Sequence, residues 1–113
     1  KYLSQSNSGR IIVLVSMSGK RSKSNLASYS MSKFALMSLC QTMRNEGWKK
    51  DIRVTAICPG WVNTDMAKEI NHFPKKDMTQ SVDIARICSN LLDLPNSSVP
   101  FEIALNCQLE TTI

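Results

Sequence analysis

Residues Ile11-Ile12-Val13-Leu14-Val15 form an unbroken, mostly β-branched run between a polar linker at 4–9 and a Ser-, Gly-, Lys- and Asn-rich loop at 16–25. A run this short and continuous reads as a strand buried on both faces, as in a parallel sheet covered by helices. It is the longest unbroken apolar run in the 113 residues, far short of the roughly 20 a membrane-spanning helix needs. From about Leu26 to Glu46 the pattern turns helical. Ala35, Leu39 and Met43 recur every four residues, Leu36 and Cys40 sit beside them, and Gly47 comes next, where a helix C-cap prefers glycine. Ile52 to Ile57 reads as a second strand, closed by Pro59-Gly60. Residues 61–79 read as irregular, with a short helical stretch expected near Ala67 to Ile70. Gln80 to Leu94 is a second helix with Val82, Ala85, Ile87, Leu91 and Leu92 as its apolar positions. Thr79 or Ser81 is its expected cap, Asp83 suits its first turn, and Pro95 stops it. Phe101 to Leu105 is a third strand.

The order β-α-β-loop-α-β implies an α/β fold with parallel strands and right-handed crossovers. Three parallel strands leave a sheet edge bare and the helices short of sheet to cover. The chain is therefore expected to be one half of a larger doubly wound sheet, completed by residues outside 1–113 or by a second chain. Its first residue, Lys1 rather than Met, agrees with that expectation.

Composition narrows the function classes. With 42% hydrophobic and 20% charged residues the chain is globular rather than disordered. The net charge of +5 sits in short clusters: Lys20, Arg21 and Lys23; Lys49 and Lys50; Lys75 and Lys76. They have no interleaved aromatics and do not gather on one helix face, which counts against a nucleic-acid stripe. A solvated surface, or a field that attracts an anionic ligand such as a nucleotide, remains. The 4 glycines are too scattered for a Gly-rich phosphate loop, and the 4 cysteines show no CxxC and no zinc spacing, so no metal is expected. The cysteines read as buried small hydrophobes. Free thiols, and opening residues without an apolar leader, point to a reducing compartment, the cytoplasm. Asn96-Ser97-Ser98 fits a glycosylation sequon, but beside Pro95 it reads as a turn. His72 stands alone and takes no role.

Chemistry concentrates at one sheet edge. Tyr29 and Lys33 lie four apart in the first turns of the long helix, hence on one face. A phenol beside a fixed cation is a general acid/base able to work near neutrality. Ser16 comes directly after the first strand, at the C-terminal edge where open α/β sheets bind ligands. The helix carrying Tyr29 starts at that same edge. The second strand also ends there, in Cys58-Pro59-Gly60-Trp61-Val62-Asn63-Thr64, whose Pro-Gly turn is expected to expose backbone N–H and C=O groups.

These elements together resemble the C-terminal half of a short-chain dehydrogenase/reductase. The likeness rests on Ser16 in Val15-Ser16-Met17-Ser18-Gly19, on Tyr29-Ser30-Met31-Ser32-Lys33, and on Pro59-Gly60-Trp61-Val62-Asn63-Thr64. The wording from Cys58 to Met66 is similar to carbonyl-reductase-like members. The resemblance implies a Rossmann-like, NAD(P)-binding doubly wound sheet, with NADP or NAD as cofactor and NADP slightly preferred. It implies that Tyr29 exchanges a proton with the substrate oxygen, that Ser16 hydrogen-bonds that oxygen, and that Lys33 holds the nicotinamide ribose and assists Tyr29. Tyr29, Lys33, Pro59, Gly60, Val62 and Thr64 would bind the cofactor. Ser18, Trp61 and the segment from Met66 to Phe73 would face a small carbonyl or alcohol substrate.

The family's N-terminal Gly-rich loop, its cofactor-selecting residue and the Asn of its catalytic tetrad have no counterpart in these 113 residues. The activity is thus expected of a chain that includes the missing half. A homodimer or homotetramer is expected through the helix at about 26–46, with no nucleic acid and no membrane as partner. The alternatives are a non-catalytic fragment or pseudoenzyme acting through oligomerisation, and an anion-binding module; intact Ser16, Tyr29 and Lys33 favour the enzyme.

Overall fold

The computed structural model describes residues 1–23, 25–67 and 74–111. The expected helical stretch at 67–70, most of the substrate-facing segment to Phe73, and His72 lie largely or wholly outside them. Strands β1 (Gly9–Leu14), β2 (Ile52–Pro59) and β5 (Glu102–Leu105) form one parallel sheet in the order β1-β2-β5. Gly9 is level with Ile52 and Leu14 with Ile57 in one ladder; Ala56 is level with Glu102 and Pro59 with Leu105 in the other. Helix α1 (Ala27–Gly47) connects β1 to β2, and α2 (Ser81–Asp93) lies between β2 and β5. A two-residue parallel pair, β3 (Val62–Asn63) with β4 (Thr79–Gln80), orders part of the stretch expected to be irregular.

The doubly buried strand is β2, where Arg53 through Cys58 are all buried. Strand β1, expected to fill that role, is an edge: Ile11 to Val13 are half-buried and Leu14 is 55% exposed. Among the described residues β1 has β2 as its one neighbour, so only one of its sides is covered. Val54, Ala56 and Cys58 alternate onto one face of β2 and meet Met37 and Cys40 of α1, together with Val15 and Met17.

The fully buried positions of α1 are Ser30, Met37, Cys40 and Gly47; of the expected apolar positions Cys40 is in the core, Leu36 and Met43 pack half-buried against it, and Ala35 and Leu39 are exposed. Small and sulfur-bearing side chains let α1 approach β2 closely, while Met31, Phe34 and Leu39 point outward. Gly47 is not a left-handed C-cap. Its φ is −83°, the chain continues through a 3-10 turn at Trp48–Lys50, and the left-handed residue is Asp51 at φ 56°. Gly47 is small because a Cβ there would stand 2.9 Å from the Ile52 Cβ.

Neither Thr79 nor Ser81 caps α2. Gln80 holds that place, but its side chain donates to Lys75 O and Met78 O and accepts from Asn63 instead. Ile84 and Leu91 are the buried positions of α2, whereas Val82 and Leu92 are exposed. The turn at Asn96 is confirmed by the Ser98 N–H donating to Pro95 O. The Asn96 amide is itself consumed, accepting from Arg10 at 2.6 Å and donating to Asn7 O at 2.9 Å. This ties the start of β1 to the chain entering β5.

The segment after β1 folds onto α1 through Gly19. A Cβ there would lie 2.8 Å from Val15 Cγ1 and 2.9 Å from the Lys33 carbonyl oxygen, so no larger residue fits without moving the helix or the loop. Gly19→Ala is therefore expected to destabilise the fold by about 1–3 kcal/mol, the usual cost of overpacking. Urea unfolding of the two proteins measures it, and equal midpoints would refute the close-packing account.

Cys40, Cys58 and Cys107 are buried and Cys88 is half-buried, all as free thiols. Burial pushes the Cys40 and Cys58 thiols up, so folding favours their protonated forms. That contribution is complete below the ordinary thiol range and fades as pH rises through the raised folded values. A thiol reagent at neutral pH should modify Cys88 first, with Cys40 and Cys58 reacting only on unfolding. Mass mapping of labelled peptides checks the order.

Candidate functional site

Both long strands end at the same edge of the sheet, and the segments leaving them line one cleft. Beyond Leu14, the Val15 N–H still donates to Ile57 O, and the chain then turns at Ser16. Ser16 caps the 3-10 turn Met17–Gly19, its Oγ accepting from the Ser18 N–H at 3.1 Å. That bond fixes the oxygen and leaves the hydroxyl proton to donate elsewhere. Burial raises the Cys58 thiol, and the nearby Ser16 backbone acts weakly the other way. Ser16 is thus held by its own turn, through the Ser18 N–H on its Oγ and the Gly19 N–H on its carbonyl.

Beyond β2, the Pro59-Gly60-Trp61 turn leads into β3. Its backbone is less open than expected. The Gly60 N–H donates to Leu105 O at 2.7 Å, the Trp61 N–H donates to Glu110 Oε2 at 3.1 Å, and Trp61 O accepts from the Thr79 N–H. Thr64 is exposed, with its hydroxyl 3.5 Å from Val62 O.

The cleft between these segments has a volume of about 910 Å³. It is lined by Ser16, Ser18, Tyr29, Pro59, Gly60, Trp61, Val62 and Thr64, eight of the nine residues singled out from sequence. Lys33 stands one turn along α1 from Tyr29, with Nζ 5.5 Å from the Tyr29 ring centroid, and is not part of the cleft wall. Tyr29 is 38% exposed, open to a ligand. Leu14, Val15, Leu26 and Met66 add apolar wall, and Ile84, Ala85 and Cys88 of α2 close one side.

Sequence reasoning missed the α2 contribution, although Ile84 and Cys88 are four apart on one helical face. It also missed Arg21 and Glu110. In the sequence Arg21 reads only as part of a basic cluster, and nothing near Glu110 forms a recognisable motif. Lys23, from the same cluster, lies 5.8 Å over the Trp61 ring at the cleft. Among the described residues no helix is long and apolar enough to cross a membrane.

The arrangement offers two hydroxyls from two different elements, an ammonium near one of them, and apolar walls that suit a planar ring. The family model for the short chain dehydrogenase matches residues 1–75. Agropine synthesis reductase from Rhizobium rhizogenes is 34% identical over 110 residues, which is 97% of this chain and 26% of that protein. A betaketoacyl-[ACP] reductase from Bacteroides thetaiotaomicron superposes with a TM-score of 0.76 at 31% identity, covering 94% of this chain and 43% of that one. Actinorhodin polyketide ketoreductase, solved with NADPH as its F189W variant, gives 0.69 at 26% identity, covering 88% and 46%. The chain spans about a quarter of the length of the reductase it matches in sequence, and under half of each of the two structures. With its parallel sheet ending at the Ser16, Tyr29 and Pro59-Gly60 cleft, this chain belongs to the short chain dehydrogenase family and carries part of that family's Rossmann-type fold.

Proposed function

We propose that this chain supplies the catalytic edge of an NAD(P)-dependent oxidoreductase that reduces a carbonyl or oxidises a secondary alcohol, as the C-terminal part of one larger Rossmann-like domain. One observation carries the reading: Ser16 and Tyr29, from different elements, line the same cleft, with the Lys33 charge over the Tyr29 ring.

The residues present fit the nicotinamide end of the cofactor. Leu14, Val15, Pro59 and Trp61 give apolar walls for a flat ring, beside two hydroxyls. The cofactor, when bound, supplies the hydride. The protein's part is position and proton. Ser16, its oxygen fixed by the Ser18 N–H, donates a hydrogen bond to the substrate oxygen and keeps its proton. Tyr29 donates to the same oxygen and yields its proton as charge develops there. The Lys33 ammonium stabilises the phenolate left behind and reaches the ribose hydroxyls. Val62 and Thr64 hold the carboxamide with the Pro59-Gly60 turn, whose Gly60 N–H is already spent on Leu105 O. Ser18 and Trp61 face the substrate. NADP ahead of NAD is the reading of cofactor choice, and comparing titrations with the two tests it. The four free thiols support a cytoplasmic setting.

In the protein with all flanking sequence retained, Tyr29→Phe should abolish carbonyl reduction, by at least the roughly 10²–10⁴-fold a general acid supplies, while leaving cofactor binding nearly intact. Lys33→Ala should weaken both, and Ser16→Ala should lower turnover with less effect on cofactor affinity. Steady-state NAD(P)H oxidation over a panel of ketones and aldehydes, with cofactor fluorescence titration, separates these outcomes. Full activity in the Phe variant would sink the reading.

The outer face of α1 supports self-association as a homodimer or homotetramer. Met31 is 72% exposed, and Phe34 and Leu39 about half exposed, on a helix whose other face is already buried on the sheet. Leu39→Glu should shift the protein toward monomer in sedimentation at micromolar concentration while leaving its fold intact. A wild type that sediments only as monomer would end this proposal.

A further inference from the structure

We propose that Glu110 is a positioning residue for the catalytic edge, clamping the loop that carries Ser16 to the Pro59-Gly60-Trp61 turn. The inference rests on the oxidoreductase reading of Ser16 and Tyr29. One carboxylate serves three segments. Its Oε1 pairs with Arg21 Nη2 at 2.9 Å, and Arg21 lies on the segment just past the Ser16–Gly19 turn. Its Oε2 accepts from the Trp61 N–H at 3.1 Å and from the Cys107 N–H at 3.2 Å, just after β5. The strand-end segments of β1, β2 and β5 therefore converge on a single side chain that is only 7% exposed.

A carboxylate this deep carries a desolvation cost unless it is paired and hydrogen-bonded, and here it has both. Gly60 makes the approach possible, because a Cβ on residue 60 would collide with the Glu110 carboxylate. Four segment-specific features, Arg21, Gly60, Trp61 and Glu110, fit one another, and all four line the cleft. Neither the Tyr-x-x-x-Lys pair nor the Ser16 turn requires this arrangement. What it adds is a fixed distance between the two loops that flank the reacting atoms, and misplacement there costs rate steeply.

The test uses the intact protein and two variants, Glu110→Gln and Glu110→Ala. Amide exchange at Trp61 and Cys107 reports the clamp, and kcat and KM with a carbonyl substrate report its consequence. In Glu110→Ala, both amides should exchange faster and kcat per folded molecule should fall about tenfold to a hundredfold, with substrate KM changing less. Glu110→Gln, which keeps one oxygen acceptor but loses the charge, should fall between Ala and wild type; it carries the test alone if the Ala variant does not fold. Unchanged exchange at Trp61 overturns the clamp. Faster exchange with wild-type kcat overturns the positioning role and leaves a stability latch. A wild type that turns over no carbonyl in the panel sinks the oxidoreductase reading and the positioning role with it, while the exchange rates still decide whether the clamp exists.

Discussion

The parallel pairing of β1 with β2 is the constraint on which the site depends. Level pairing of Leu14 with Ile57 makes both strands finish at one edge within a residue or two. Antiparallel pairing would send Ser16 and Pro59 to opposite ends. The parallel arrangement in turn requires a crossover, and α1 is that crossover, so its first turns must begin at the edge where β1 ends. Tyr29 therefore reaches the same cleft as Ser16 without any contact between them dictating it. The six consecutive buried residues of β2 hold this frame, with Val54, Ala56 and Cys58 against α1.

The strand ends and the grouping of Ser16, Tyr29 and the Pro-Gly turn at one edge were legible because each rests on a local signal. A continuous β-branched run, a Pro-Gly turn and a four-residue Tyr–Lys interval can all be read without knowing what packs where. Burial was less legible. The Ile11–Val15 run carries more apolar bulk than β2, yet β2 is the central strand, since position in the sheet is set by neighbours that a single strand's sequence does not name. Likewise α1 has more apolar positions than one face needs. Its fully buried positions mix Met37 with the small Ser30, Cys40 and Gly47, and Gly47 is where close approach to Ile52 selects size as well as hydrophobicity. The β3–β4 pair escaped notice because two-residue strands have no periodicity, and Glu110 because its partners lie 3, 49 and 89 positions away.

Charge is distributed by the same logic. The chain is basic overall, yet two cations of the first basic cluster, Lys20 and Arg21, are engaged with Glu102 and Glu110. A cluster that reads in sequence as a solvated patch is largely a set of ties from the post-β1 loop to the β5 side of the sheet. At the opposite end, the buried Arg53 guanidinium lies 3.8 Å from the Trp48 ring centroid and donates to Trp48 O and Asn96 O. Both ends of the sheet are thus fastened by cations, some of whose partners are far away in sequence. The third cation of the first cluster, Lys23, lines the cleft beside Arg21.

These ties explain how a site can be held with so little sheet around it. The described loops that line the cleft are fixed by contacts within the chain: the Ser16 turn by Ile57 through Val15 and by the packing of Gly19, the Pro-Gly turn by Leu105 and Glu110, and β3 by Thr79. None of these contacts involves the outer side of β1 or the outer face of α1. On the outer α1 face the apolar residues Met31, Phe34 and Leu39 stay exposed, while the exposed Leu14 at the end of β1 faces the cleft. The contacts that hold these described loops are therefore internal to this chain. Two surfaces stay open to outside structure: the β1 edge, where strand pairing could extend the sheet, and the outer α1 face, where a second helix surface could dock.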